Sequence, residues 1–192
     1  MKNVMSYPEA KELFDKYLET DYLRKHGRET EVIMRALARE TGADEEFWGI
    51  SGLLHDLDID DLGDDLTQHG QRTVEILKEN GYDIPEMFNA ILAHVEGMEG
   101  VDFRRQSDFE YILVGAENIT GLISAYVILR PEKKIDGVKV KSILKKFRSP
   151  AFAAKVNRDF IQDAADHAGI ELREFVRISI EAMSSISDEI GM

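Results

Sequence analysis

The sequence predicts an all-α protein, and three observations carry that expectation. Apolar residues recur at helical spacing through most of the chain, alternating apolar and polar runs are few, and only four prolines interrupt 192 residues. A chain of that length can bury a substantial core without covalent staples.

The first helix begins in the turn that holds Pro8 and runs to about Leu18. Asp21 caps the second, which carries Leu23, His26, Val32, Ile33 and Leu37 and stops at Gly42. The third starts near Asp44, spaces Phe47, Trp48, Ile50, Leu53 and Leu54 helically, and delivers His55 and Asp56 at its C-terminal end. The following LDIDDLGDD reads as a solvated acidic loop, too polar and glycine-broken to stay helical. Thr67 caps a fourth helix with His69 in its first turn, and Gly81 ends it. Pro85 opens a fifth, with Met87, Phe88, Ile91 and Leu92 on its apolar side and His94 near its end before Gly97 and Gly100. The sixth, about Ser107 to Leu129, is long and apolar, and Pro131 stops it. A basic connection and a short helix lead to a last pair, about Pro150 to Ala168 and Glu171 to Ser187, parted by Gly169. No repeat or linker marks a boundary, so residues 1–192 are expected to form a single domain.

Composition removes several function classes. The chain has no Cys, which excludes disulfides, thiolate metal sites and a Cys nucleophile and leaves His and carboxylates as metal ligands. A net charge of −13 opposes attraction to phosphate backbones and anionic membranes, so nucleic acid is a disfavoured partner. MKNVMSYPEAKELF lacks the pattern of an export signal, and a cytoplasmic protein is expected. Tyr111 to Leu129 approaches membrane-spanning length at 19 residues, but Glu117 and Asn118 at its centre favour a buried core helix and no membrane.

Four of the five histidines, His26, His55, His69 and His94, fall near the ends of predicted helices. Any one of them alone is most simply a core residue; the set is what points to chemistry. His55 and Asp56 are adjacent and can offer imidazole nitrogen and carboxylate oxygen to one divalent ion. Glu117 is costly to bury unless a Lys, an Arg or a metal pairs with it. Gly115, Ala116 and Gly121 would let other helices approach it closely. His167 reads as a surface residue favoured by the helix dipole.

The order His26, His55-Asp56 and a later carboxylate resembles the HD superfamily of metal-dependent phosphohydrolases. A narrower resemblance, to small bacterial and archaeal HD-domain proteins described as predicted hydrolases, runs through LLHDLDID, His69-Gly70, ILAHVEG, AENITGLISAYVILRP and VKSILKKFRSPAFAAKVNRDFI. It implies an HD-domain-like helical bundle with its metal-site core in about residues 20–130 and a C-terminal helical extension in about 131–192. It also implies His26, His55, Asp56 and Glu117 on one divalent ion, with His69 and His94 serving a second. Asp56 and His55 are the catalytic candidates. The family ordinarily reads Ala-Asp-Glu where this chain has Ala116-Glu117-Asn118, so the distal carboxylate is one methylene longer. The Gly-Tyr-Pro signature of cyclic-dinucleotide phosphodiesterases is absent from the sequence, and that substrate is not implied.

Two divalent ions bring +4 and Asp56 with Glu117 returns −2, leaving a centre of roughly +2 that attracts phosphate oxygens. The expected activity is therefore hydrolysis of a small phosphorylated molecule, a nucleotide among the candidates, by metal-activated water. The ion is Mn, Fe, Co, Mg, Zn or Ni, one or two in number. The alternatives are a diiron oxygenase sharing this ligand order and a ligand-binding HD protein without turnover. Oligomeric state is not legible. Residues 130–148 gather eight Lys or Arg against Glu132 and Asp136. They form either a solvated basic face or a phosphate-gripping rim, and the second reading sets Lys133, Lys134, Lys139 and Lys141 beside the substrate. Arg104 and Arg105 are weaker candidates. The acidic loop lacks the spacing and final Glu of a calcium-binding EF-hand, though Asp58 or Asp60 can still reach a substrate or a water near the metal.

Overall fold

Local side chains decide where the helices begin. Ser6 and Glu9 form a capping box for α1 (Tyr7–Tyr17), Glu9 Oε2 accepting from the Ser6 amide at 2.9 Å. Asp60 accepts from the amides of Glu19 and Thr20 at 2.7 and 2.9 Å, just before α2 (Asp21–Thr41). Asp44 accepts from the Phe47 amide at 3.0 Å to open α3 (Glu45–Leu54). The computed structural model describes residues 1–98 and 100–192. Among these residues there is no strand, only an isolated bridge between Lys2 and Tyr82, and the fold is all-α.

After α3 come a single-turn α4 (Ile59–Leu62), a 3-10 turn at Leu66–Gln68, α5 (Gln71–Glu79) and α6 (Pro85–His94). The Ser107 and Glu110 capping box then starts α7 (Asp108–Ile128). The chain ends with α8 (Val140–Phe147), α9 (Arg158–His167), α10 (Leu172–Ser184) and α11 (Ser187–Ile190).

Three sequence expectations need correction. Helix α5 starts at Gln71 instead of Thr67, leaving His69 outside the helix. The reason is Gly70, whose φ of +76° breaks the helical path and whose missing Cβ would meet the Ile91 carbonyl at 3.0 Å. The acidic segment is not a solvated loop throughout: it contains α4, Asp60 braces the start of α2, and Asp58 is fully buried. The helix expected from Pro150 begins eight residues later, at Arg158, because Asn157 accepts from the amides of Asp159 and Phe160 and caps it there.

Two groups of apolar side chains build the core. Phe14, Leu53, Leu77 and Ile91 belong to one, formed by α1, α3, α5 and α6. Ile33, Leu113, Ile119, Ile161 and Phe175 belong to the other, where α7 packs against α2, α9 and α10. Helix α7 is long and apolar enough to cross a membrane by length and composition, yet most of its side chains are covered by these neighbours. At Gly115 the approach of α9 is so close that a Cβ would lie 2.9 Å from the Phe160 carbonyl. Alanine there would cost about 1–3 kcal/mol by overpacking. This contact fixes α9 beside Glu117, two residues further along α7.

Candidate metal centre

Asp56 sits between two pairs of imidazoles. Its Oδ2 lies 3.5 Å from His26 Nε2 and 3.4 Å from His55 Nε2, and its Oδ1 lies 3.4 Å from His69 Nε2 and 3.2 Å from His94 Nε2. Glu117 Oε2 completes the first group at 3.9 Å from His26 Nε2. His26, His55 and Glu117 form one cluster able to hold a metal ion, and Asp56, His69 and His94 form a second. The structure thus brings together all six side chains singled out as ligands from the sequence. His55 and Glu117 sit in the same cluster, their ligand atoms within 4.8 Å of each other.

Each ring is aimed by a partner on its far nitrogen. His55 Nδ1 donates to the Gly52 carbonyl at 2.8 Å, His94 Nδ1 donates to the Ile91 carbonyl, and His69 Nδ1 donates to Asp58 Oδ1 at 2.8 Å. His26 Nδ1 lies 3.0 Å from Thr120 Oγ1, and that hydroxyl gives its own hydrogen to the Glu117 carbonyl at 2.7 Å. Thr120 therefore accepts, and His26 Nδ1 carries the proton as well. These contacts leave the Nε2 atoms pointing inward as donors to a cation.

The electrostatics agree. Burial drives the His55 imidazole down to about 3 and lowers that of His26, so both stay neutral. Burial also opposes charge on His94, but the hydrogen bond and charge of Asp56 outweigh it and hold that imidazole up to about 9. A proton on His94 Nε2 and a metal ion are alternatives for the same place. Burial opposes ionisation of Asp56, yet the His55, His94 and His26 imidazoles keep its carboxyl well below the usual range. Burial pushes Glu117 up to about 8, against the pull of His94.

These donors fit a divalent ion. His26 Nε2 and His55 Nε2 face each other at 3.2 Å, and both present lone pairs. Two lone pairs so placed repel unless a cation lies between them. Ligands about 2.0–2.2 Å from one ion are separated by no more than about 4.4 Å, and the distances from 3.1 to 3.9 Å among these atoms fall inside that limit. Glu117 has no Lys or Arg within ion-pair distance among the described residues, so the ion-pair reading of this carboxylate is not what the fold builds.

The family model of the HD domain matches residues 23–117, the stretch that supplies all six side chains. The chain carries an HD domain. Searches of curated proteins and of solved structures returned no match to it.

One face of the HD centre opens to solvent through a groove of about 460 Å³ that exposes Asp56, His69, His94 and Glu117. His55 has no exposed side-chain surface, so it can serve a reaction only by holding an ion. Lys155 and Asn157, from the turn that leads into α9, line the same groove. None of the four lysines named from the sequence lines this groove. Lys133 lines a second cavity that includes His26, while Lys134, Lys139 and Lys141 are exposed and line neither cavity. Arg105 is engaged in the wall, paired with Glu96 at 2.8 Å and lying over the Phe160 ring at 4.1 Å.

Sequence reasoning placed Asp58 near the metal without its role and missed Thr120 and Asn118 as supports of the HD centre. Asp58 orients His69 with one oxygen and accepts from the amides of Gly70 and Thr73 with the other, at 2.7 and 3.1 Å. Thr120 orients His26. Asn118 donates to Glu117 Oε1 and accepts from the Asn157 amide at 2.9 Å, tying the carboxylate to the start of α9. Thr120, three residues after Glu117, and Asn118, next to it, were readable as neighbours of that carboxylate; the contact of Asp58 with His69 depends on tertiary placement.

Proposed function

We propose that this protein is a metal-dependent phosphohydrolase that cleaves a small phosphorylated molecule. The observation that carries the reading is the position of Asp56, one carboxylate oxygen toward each imidazole pair. Such a carboxylate can belong to two ions at once. His26, His55, Asp56 and Glu117 would hold one, and Asp56, His69 and His94 the other. Nitrogen-rich ligand sets favour Mn, Fe, Co, Ni or Zn over Mg. When bound, two such ions supply a water acidic enough to attack phosphorus near neutral pH and a charge that polarises the phosphoryl group.

The chain's own residues do the rest. Asp58 and Thr120 fix the imidazole planes, and Asn118 fixes Glu117, so the site needs little reorganisation when substrate arrives. Lys155 offers the groove a positive charge toward phosphate oxygens, which the net charge of −13 otherwise repels. The groove admits a phosphate ester from solvent while His55 stays covered.

The test is a screen of phosphate release from small phosphomonoesters with Mn²⁺, Co²⁺, Ni²⁺, Zn²⁺ or Mg²⁺ supplied. Release from at least one ester, abolished by chelator and restored by metal, is the expected result. Metal-loaded protein that releases phosphate from none would overturn the reading.

A further inference from the structure

A second cavity of about 300 Å³ lies on the other side of His26, between α2, the C-terminal half of α7 and the last residues of the chain. Its walls include the apolar side chains of Val127, Ile128, Ile190 and Met192. Glu29, one helical turn after His26, lines it and is 4 % exposed. Its hydrogen-bonding partner among the described residues is the Ser124 hydroxyl, 3.4 Å from each carboxylate oxygen. One hydroxyl hydrogen cannot satisfy both oxygens. No Lys or Arg is within ion-pair distance among the described residues; Lys25, also on the cavity, pairs instead with Asp21 at 2.7 Å. A buried carboxylate in that state is expensive to keep, and donors from a ligand would relieve it.

We propose that this cavity binds a flat nitrogen heterocycle presenting two adjacent N–H donors to Glu29, the base of a guanine-type nucleotide. Placing that nucleotide's phosphate at the metal centre rests on the phosphohydrolase reading above. Three features select this class. Once ionised, the two Glu29 oxygens, which share the one Ser124 hydroxyl, match a ring N–H beside an amino group, a bidentate arrangement. The apolar walls of Val127, Ile128, Ile190 and Met192 suit the faces of a base. Tyr22, 70 % exposed, lies nearly parallel to His26, with 9° between the rings and 6.4 Å between centroids, and offers a flat surface for stacking. A small alkylammonium would also meet Glu29, but it would leave most of 300 Å³ unfilled. Tyr22 and His26 both line the cavity, and His26 faces Asp56 of the centre with Nε2 at 3.5 Å, which joins the two sites. Lys133, on the same cavity, is placed to meet an anionic ligand.

The decisive comparison uses nucleosides, which carry no phosphate to hydrolyse. Guanosine and inosine differ only in the amino group beside the ring N–H. Calorimetric titration should give guanosine an affinity about tenfold or more above that of inosine. Glu29→Gln, which keeps the shape but turns one acceptor into a donor, should reduce that ratio to about unity. Equal affinities in the unmodified protein, or no binding of guanosine, would overturn the assignment without any reliance on a variant's folding. Phosphate release from ribose 5-phosphate, run in parallel with metal, separates the two ideas. Turnover of it without guanosine selectivity removes the base site and leaves the hydrolase. Guanosine selectivity without turnover of any ester supports the base site and removes the hydrolase.

Discussion

The fully buried Asp58 carboxylate pairs with the His69 imidazole, Oδ1 to Nδ1 at 2.8 Å, and its second oxygen caps α5 through Gly70 and Thr73. One carboxylate thus sets both the start of a helix and the direction of a candidate ligand. In Asp58→Asn the side chain keeps its shape, but its NH₂ must face either the imidazole N–H or the backbone amides. Metal affinity at the His69 and His94 group is expected to fall about 10–100-fold, as for other residues that orient ligands. Chelator competition measures it. Unchanged affinity for both ions would show that His69 needs no such support.

Metal stoichiometry should depend unequally on the six side chains. His69→Ala removes a donor from one cluster only, so the protein should retain one tightly held ion of two. Asp56→Ala removes the carboxylate that faces both clusters, and metal content should fall below one ion per chain. Elemental analysis after desalting distinguishes the two. An Asp56→Ala protein that keeps two ions would show that Asp56 bridges nothing.

Much of this centre was legible in the sequence, for a physical reason. His55 and Asp56 end a strongly patterned helix, and Glu117 interrupts an apolar one, so each stands out against a regular background. Asp58 does not, because it is one of a run of acidic residues and only tertiary placement buries it. Lys155 lies in a turn-rich stretch with no periodicity, and the fold carries it to the groove because Gly115 lets α9 approach α7. The basic segment at 130–148 drew attention by charge alone, which says nothing about which way a flexible lysine faces. The helix expected from Thr67 starts later because Gly70 breaks the helical path and a side chain distant in sequence, Asp58, accepts from the amides of Gly70 and Thr73 at the new start.

Glu29 should leave a signature in stability against pH. Burial pushes its carboxyl up to about 8, against an ordinary value of 4.5, while Ser124 and Lys25 pull weakly the other way. Below 4.5 both folded and unfolded states hold the proton and nothing changes. Between about 4.5 and 8 the unfolded chain has lost the proton while the folded chain keeps it, so this group lowers stability steadily as pH rises. Above about 8 the penalty is constant. Thermal unfolding from pH 5 to pH 8.5 should therefore show a smaller decline in Tm for Glu29→Gln than for the unmodified protein. Identical pH profiles would place the Glu29 carboxyl in contact with water or a cation.

Substrate capture should depend on Lys155 and not on the exposed lysines of the basic segment. Lys155 shares the groove with Asp56, His69, His94 and Glu117, whereas Lys134, Lys139 and Lys141 are exposed and line neither cavity. Lys155 is solvent-exposed, so its contact with a phosphate is screened and modest, about 0.4–1 kcal/mol or roughly a twofold to fivefold change. It acts on the bound anion before and during reaction alike, so Lys155→Gln should raise KM with little change in kcat. The increase should shrink at high ionic strength, since a charge contact open to solvent weakens as the Debye length contracts. Lys134→Gln, Lys139→Gln and Lys141→Gln should leave both constants unchanged at either salt concentration. A rise in KM for those three with none for Lys155→Gln would mean that substrate enters from the basic segment, and the groove at α9 would not be the phosphate's place.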